Sequence, residues 1–323
     1  MKLTTALETW ELKRTFRTSR RSFDHVETAM VTLEKDGAKG RGESVGVNYH
    51  GETARSVQGQ IEQLRDTIET GLSREGVQSL LPAGGARNAL DCALWDLECK
   101  SKAQTIWALT GIEPSPVTTA YTIVIDEPHR MYEAAGAAPE TLLKIKVSAA
   151  GAFDQITAVR EARPDARLIV DGNQDFTLEQ LQALIARIET LGIEMIEQPL
   201  PAGADAGLSD YASPIPLCAD ESFHTQADIA EVAGRYRYAS VKLEKTGGLT
   251  NALALVGQMQ DAGLGVMIGC WAATSLSMAP AFVAAQGAAY ADIDGPLLLK
   301  SDRADAMDYR KGVVASPHRR LWG

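Results

Sequence analysis

The sequence predicts an α/β protein in which a closed barrel of parallel strands follows a smaller α+β region. Beyond Val117, short apolar runs alternate with amphipathic helical stretches, and that alternation builds a parallel sheet. Eight such runs follow one another, enough to close a barrel rather than leave an open doubly wound sheet. The first third lacks this rhythm and carries a hairpin signal followed by helical stripes. At roughly 150 residues per domain, 323 residues suit about two domains.

In the first third, Glu27 to Glu34 is strand-like, Asp36-Gly37 is a hairpin turn and Lys39 to Glu43 returns. Val57, Ile61, Leu64 and Ile68 form one helical stripe that ends at Gly71. A second helix, from about Ala86 to Lys100, puts Ala86, Leu90, Ala93, Leu94 and Leu97 on one face, with Trp95 in its core pattern. Trp107 reads as core in the same way. Gly111 and the Pro114/Pro116 pair then punctuate the chain.

The barrel runs are Ala120–Ile125, Leu142–Val147, Leu168–Val170, Glu194–Ile196, Pro216–Ala219, Ala239–Leu243, Leu264–Ile268 and Tyr290–Ile293. Between the third and fourth, Leu178, Leu181, Leu184, Ile185, Ile188 and Leu191 form a stripe opened by a Thr177–Gln180 capping box. Thr225 and Thr250 read as N-caps of later helices. The expected organisation is 1–113, 114–295 for the barrel, and 296–323, a tail without strong pattern that packs back on the first region.

Composition narrows the function. Thirty-two Lys+Arg against 42 Asp+Glu give a net charge of −10, the wrong sign for a nucleic-acid surface. No run approaches the roughly 18 apolar residues of a membrane span, and Met1 to Trp10 lacks a signal peptide's apolar segment. Cys92, Cys99, Cys218 and Cys270 show no disulfide or metal spacing, which fits a reduced, cytoplasmic setting.

The chemistry sits where the barrel runs end. Lys146, Asp171, Glu197, Asp220 and Lys242 close successive runs at intervals of 25, 26, 23 and 22 residues, one strand-helix unit per step. On a barrel these ends share one rim, the face on which active sites are built. Each acid alone also reads as a helix cap or a partner for a loop cation. Three together would repel in a partly buried mouth, and a hard divalent cation resolves the repulsion. Oxygen ligands suit Mg²⁺, and the absence of accompanying His or Cys disfavours zinc.

Lys146 and Lys242 bracket the acids from the second and sixth strands and are expected to face each other. A lysine serves as a base once its pKa is lowered, which a like charge does. Lys144, on the same strand face as Lys146, is the expected source, with Lys245 in an equivalent part near Lys242. The alternative is phosphate binding or salt bridging. A metal that holds a substrate carboxylate, with bases on opposite faces, removes an α-proton from one side and returns it from the other.

With KIK, DGNQ, EQP, ADES and KLEKTGG in this order, and the ARNALDCALWDLECK helix before them, the chain resembles the muconate-lactonising subgroup of the enolase superfamily. The resemblance implies a (β/α)₇β TIM-like barrel with an N-terminal α+β capping domain. It implies Asp171, Glu197 and Asp220 as ligands of one Mg²⁺ per subunit, Lys146 and Lys242 as the acid/base pair, and Lys144 as an electrostatic helper. The mandelate-racemase branch carries a histidine after strand seven; Met267 to Trp271 reads MIGCW, which disfavours it.

Within the subgroup the chain is most similar to dipeptide epimerases, including those acting on L-Ala-D/L-Glu. On that resemblance Asp292 and Asp294 bind the ammonium of a dipeptide, with a helix cap or loop turn as the alternative. Arg20 and Arg21 lie in a loop of the capping domain, and Arg21 receives a Glu side-chain carboxylate or is a solvated loop arginine. Thr122 contacts substrate or is a structural residue at the barrel mouth. A lyase or cycloisomerase of the o-succinylbenzoate synthase or muconate cycloisomerase type, or an N-acylamino acid racemase, is the competing reading. Those substrates lack an ammonium for the two aspartates. A non-catalytic barrel is disfavoured because both lysines and all three acids are present. The expected partner is a small-molecule dipeptide, with neither nucleic acid nor membrane; a homo-oligomer stays open. His25, His50, His129, His224 and His318 share no spacing and read as surface or loop residues. Gly247-Gly248 is read as letting backbone approach the substrate, and Cys270 as a small apolar wall.

Overall fold

The computed structural model describes residues 1–18 and 21–323. Strands Lys2–Arg17, Ser22–Lys35 and Ala38–Ser44 form an antiparallel sheet in chain order. The expected hairpin turn is present, with positive φ at both Asp36 (51°) and Gly37 (81°), the conformation that a two-residue type I′ turn needs.

The stripe expected as one helix is two, Ala54–Gln63 and Arg65–Gly71. The chain bends at Leu64 (φ −104°, ψ 9°), yet Val57, Ile61 and Ile68 all stay buried. The apolar period records the buried face and is blind to the bend. A further helix, Arg74–Leu80, capped by Ser73, carries only Val77 into the core and so left no stripe to read. Helix Gly85–Ser101 is buried along nearly its whole length.

The eight expected barrel runs are all strands: Tyr121–Ile123, Leu142–Lys146, Arg167–Asp171, Ile193–Glu197, Leu217–Ala219, Tyr238–Val241, Gly265–Ile268 and Tyr290–Ala291. They form one parallel sheet in chain order. A parallel bridge between Thr119 and Ala291, with the Ala120 N–H donating to Ala291 O at 2.8 Å, joins last to first. Two apolar layers result. Ala120, Leu142, Ile169, Met195, Cys218 and Met267 form a small cluster of their own, and a far larger one lies between strands and helices.

Thr177 and Thr225 cap as expected, each in a capping box. Thr250 does not. It is the second residue of helix Leu249–Asp261, whose N-cap is Gly248. Its N–H and hydroxyl both donate to Asp91, at 3.0 and 2.6 Å, so a carboxylate from helix Gly85–Ser101 occupies it instead. Gly247 and Gly248 serve the same seam rather than the substrate. A Cβ on Gly247 would lie 2.2 Å from Arg87 Nε, and one on Gly248 2.5 Å from Asp91. Arg87 Nη2 donates to Thr246 O at 2.8 Å. The first region thus plugs directly into the loop that follows Lys242.

The C-terminal residues return to the first region. The Lys300 N–H donates to Glu11 O, Arg303 pairs with Glu8 and Glu43, and Trp322 Nε1 donates to Cys92 O. Among the described residues no helix is long and apolar enough to cross a membrane.

Candidate active site

Period-two alternation explains how the strands build the site. Two residues beyond the small inner cluster, the strands place Thr122, Lys144, Asp171, Glu197, Asp220 and, from their own rows, Lys242 and Asp292. Another step adds Lys146 and Asp294. All nine are buried. Seven of them, without Asp171 and Glu197, line a cavity of about 250 Å³, which Arg21, Tyr49 and Trp271 help to enclose. Cys270 also lines it, as expected. Arg20 lies outside the described residues.

Lysines stand between the acids. Lys144 Nζ lies 3.0 Å from Asp171, 2.5 Å from Glu197 and 2.7 Å from Asp292. Lys146 reaches Asp171 at 2.7 Å and Asn173 at 3.0 Å. Lys242 reaches Asp220 at 2.6 Å. Lys245, fully enclosed, holds the other oxygen of Asp220 at 2.8 Å and the backbone carbonyls of Asp220 and Ser240. Its partners are thus Asp220 and backbone, which makes it a clamp on a candidate ligand.

For Lys242 these pairs run against the expected lowering by like charge. Burial alone would depress Lys242, but the Asp220 and Glu197 carboxylates outweigh it and hold the ammonium above its usual range. Lys144 behaves the same way beside Asp171, Asp292 and Glu197, so its charge is matched by acids rather than spent on Lys146. Lys245, the other expected source of like charge, is itself depressed by burial despite Asp220. Burial would raise Asp171 and Asp220, yet their lysines pull both far below the carboxylate range.

Glu197 differs. Burial pushes it up to about 8, and both of its oxygens lack a hydrogen-bond donor. Lys144 is close enough for an ion pair but not aligned for a hydrogen bond, so Coulomb attraction offsets only part of the desolvation. Asp294 is pushed to about 7 by burial and by Asp292; its Oδ2 accepts the Thr122 N–H at 2.7 Å. It begins the short helix Gly295–Leu298 without a side-chain cap bond, which removes the helix-cap alternative. Asp292 Oδ1 is buried without a donor.

Among the described residues no three acidic, histidine or cysteine side chains are gathered as a ready-made metal cage. The donor set nonetheless fits a hard dication. Glu197 offers two buried oxygens without donors, and Asp171 and Asp220, on the neighbouring strands, add ionised carboxylate oxygens.

Sequence reasoning missed Glu221, next to Asp220. It lines the cavity, burial and Asp220 push it to about 7, and its Oε2 has no donor. Its adjacency to an acid already counted hid it. His50 and His224, read as unrelated, meet with ring centroids 4.8 Å apart beside Tyr49. They lie 174 residues apart in the chain, so no sequence spacing could join them.

Family models account for this architecture. Residues 1–111 match the mandelate racemase / muconate lactonizing enzyme N-terminal domain, and residues 125–320 match the enolase C-terminal domain-like model. The chain belongs to the enolase superfamily. It is 41% identical over 95% of its length, and 97% of the relative's, to the L-Ala-D/L-Glu epimerase of Escherichia coli. It is 42% identical over 75% of its length to the N-acetyl-D-glutamate racemase of a Pseudoalteromonas species, covering 78% of that protein. Among solved structures, an enolase family member from Agrobacterium tumefaciens, described as homologous to dipeptide epimerases and holding sodium and L-Ala-L-Glu, superimposes with a TM-score of 0.97 at 38% identity, covering 99% of both chains. The dipeptide epimerase of Enterococcus faecalis, complexed with Mg and L-Leu-L-Tyr, gives 0.89 at 26% identity, covering 98% of this chain and 97% of that one.

Proposed function

We propose that this chain is a Mg²⁺-dependent dipeptide epimerase that inverts the α-carbon of the C-terminal residue of L-Ala-L/D-Glu by a two-base 1,1-proton transfer. The observation that carries the reading is one cavity bordered by two lysines from the second and sixth strands, with two buried aspartates from the eighth. The relatives and the dipeptide complexes support the same chemistry.

Asp171, Glu197 and Asp220 would hold one Mg²⁺. When bound, the ion supplies positive charge that stabilises the substrate's enediolate, and it competes with Lys242 and Lys146 for the carboxylates they now face. One lysine takes the α-proton on its nitrogen and the other delivers its own to the opposite face. Asp292 and Asp294 fix the substrate's ammonium, and Thr122 orients Asp294 through its N–H. Arg21 overhangs the cavity for the side-chain carboxylate.

A second reading has one observation in its favour, the relative named N-acetyl-D-glutamate racemase. An acetylated nitrogen gives Asp292 and Asp294 no charge to bind, so two buried carboxylates there favour the dipeptide. The division into 1–113, 114–295 and 296–323 and a cytoplasmic setting belong to the same proposal. Four free cysteines support the latter.

The test is α-proton exchange in D₂O with Ala-Glu, acetyl-Ala-Glu and N-acetylglutamate. Ala-Glu is expected to exchange fastest, and Lys146→Ala and Lys242→Ala each to abolish exchange from a different epimer. Preference for either acetylated compound would overturn the dipeptide assignment.

A further inference from the structure

Seven barrel strands contribute a side chain to the layer two residues beyond the inner cluster. The seventh, counted from Met267, contributes Gly269. Gly269 is absent from the glycines with positive φ, so backbone conformation does not require it. Space does. A Cβ at this position would lie 2.6 Å from Ser240 Oγ, 2.9 Å from Lys242 Cε and 3.2 Å from Lys242 Cγ. The volume that a side chain at 269 would fill is taken by the stem of Lys242.

The rest of that stem's surroundings are equally defined. The Gly269 N–H donates to Val241 O at 2.9 Å, which ties the two backbones together one residue before the lysine. The Trp271 ring lies 4.8 Å from Lys242 Nζ, close enough for a cation–π contact. Asp220 holds the ammonium at 2.6 Å. Lys146 has no such slot: it reaches Asp171 and Asn173 on the neighbouring strand and turn, with the Phe16 ring 5.8 Å away.

We propose that Gly269 is a positioning residue for Lys242: its missing side chain, with the Trp271 ring beside the ammonium, forms the slot that aims this lysine at one face of the substrate. The inference rests on the two-base reading above. It predicts a one-sided defect. A methyl group at 269 must push the Lys242 stem aside and leave Lys146 where it is.

The experiment measures α-proton exchange in D₂O from each epimer of Ala-Glu separately, in wild type, Lys242→Ala, Gly269→Ala and Gly269→Ala/Ser240→Ala. Lys242→Ala identifies the epimer that this lysine serves. Gly269→Ala should slow exchange from that same epimer by about 100-fold, the cost of a displacement near 1 Å. The other epimer should exchange at the wild-type rate, which also reports an intact fold. Removing Ser240 Oγ gives the new methyl room to lean away from the lysine, so the double variant should recover part of the loss. Equal slowing of both epimers, or none, overturns the inference while the two-base reading stands. If Lys242→Ala itself spares both exchanges, the two-base reading falls and the inference with it.

Discussion

Magnesium binding should be strongly pH-dependent, and Glu197 sets the slope. Its carboxyl is buried, lacks a donor on either oxygen and is pushed up to about 8. A cation needs the ionised form, so below pH 8 each Mg²⁺ bound displaces one proton from this residue. One pH unit is worth about 1.4 kcal/mol, so the apparent Kd should tighten about tenfold per unit well below pH 8 and about fivefold from pH 7 to 8, roughly 50-fold from pH 6 to pH 8. Glu221 and Asp294, both near 7, release most of their protons below neutrality, so Glu197 makes the larger contribution to the limb between pH 7 and 8. Isothermal titration of metal-free protein with Mg²⁺, in buffers of different ionisation enthalpy, measures the affinity and the proton count together. The stability of the metal-free fold runs the opposite way. A carboxyl whose folded pKa lies above its unfolded value near 4.5 keeps a proton the unfolded chain has lost, so stability falls as pH rises from about 4.5 to 8. Glu197→Gln should weaken binding and flatten the upper limb. A flat Kd between pH 7 and 8 in the wild type, or a slope unchanged by Glu197→Gln, would refute this reasoning.

Other outcomes follow from the same geometry. Leaving a buried ammonium without its charged partner costs on the order of 2–5 kcal/mol, so Asp292→Asn or Asp294→Asn should lower kcat/KM for Ala-Glu by roughly 30-fold or more in steady-state assays. Arg21→Ala should erase a preference for Ala-Glu over Ala-Leu while kcat for Ala-Leu holds, because Arg21 touches the cavity from the capping domain and not from the barrel. Gly248→Ala should destabilise the protein by about 1–3 kcal/mol in urea denaturation, since its Cβ would meet Asp91 at 2.5 Å and its φ of 115° strains any side chain.

The barrel was legible because two periods coincide in it. The strands recur every 24 residues or so, and within each strand side chains alternate, so a polar residue two positions past an apolar one falls on the rim. Every strand-end acid and lysine singled out in the sequence lands in the buried cluster. Charges resisted the same logic. Spacing shows that Lys144 and Lys146 share a strand face, but not that three carboxylates from the third, fourth and eighth strands close on Lys144. The pKa of a buried group depends on all of its neighbours at once, which a linear reading does not contain.

The seam between the two regions marks the same limit from the other side. Gly247-Gly248 looked like a loop made small for a ligand, and Thr250 looked like a cap. Both are shaped by Arg87 and Asp91, roughly 160 residues earlier in the chain. Each is a small or hydroxyl residue whose local chemistry admits several partners, and only the packing of helix Gly85–Ser101 against the barrel selects one. That packing lies directly behind Lys242, which begins the turn Leu243–Thr246 that Arg87 grips. The helix that made the N-terminal motif recognisable therefore does more than cover the core of its own region. Through Thr246 it anchors the segment that carries one of the two proposed bases, so a change on that helix should reach catalysis without touching the cavity.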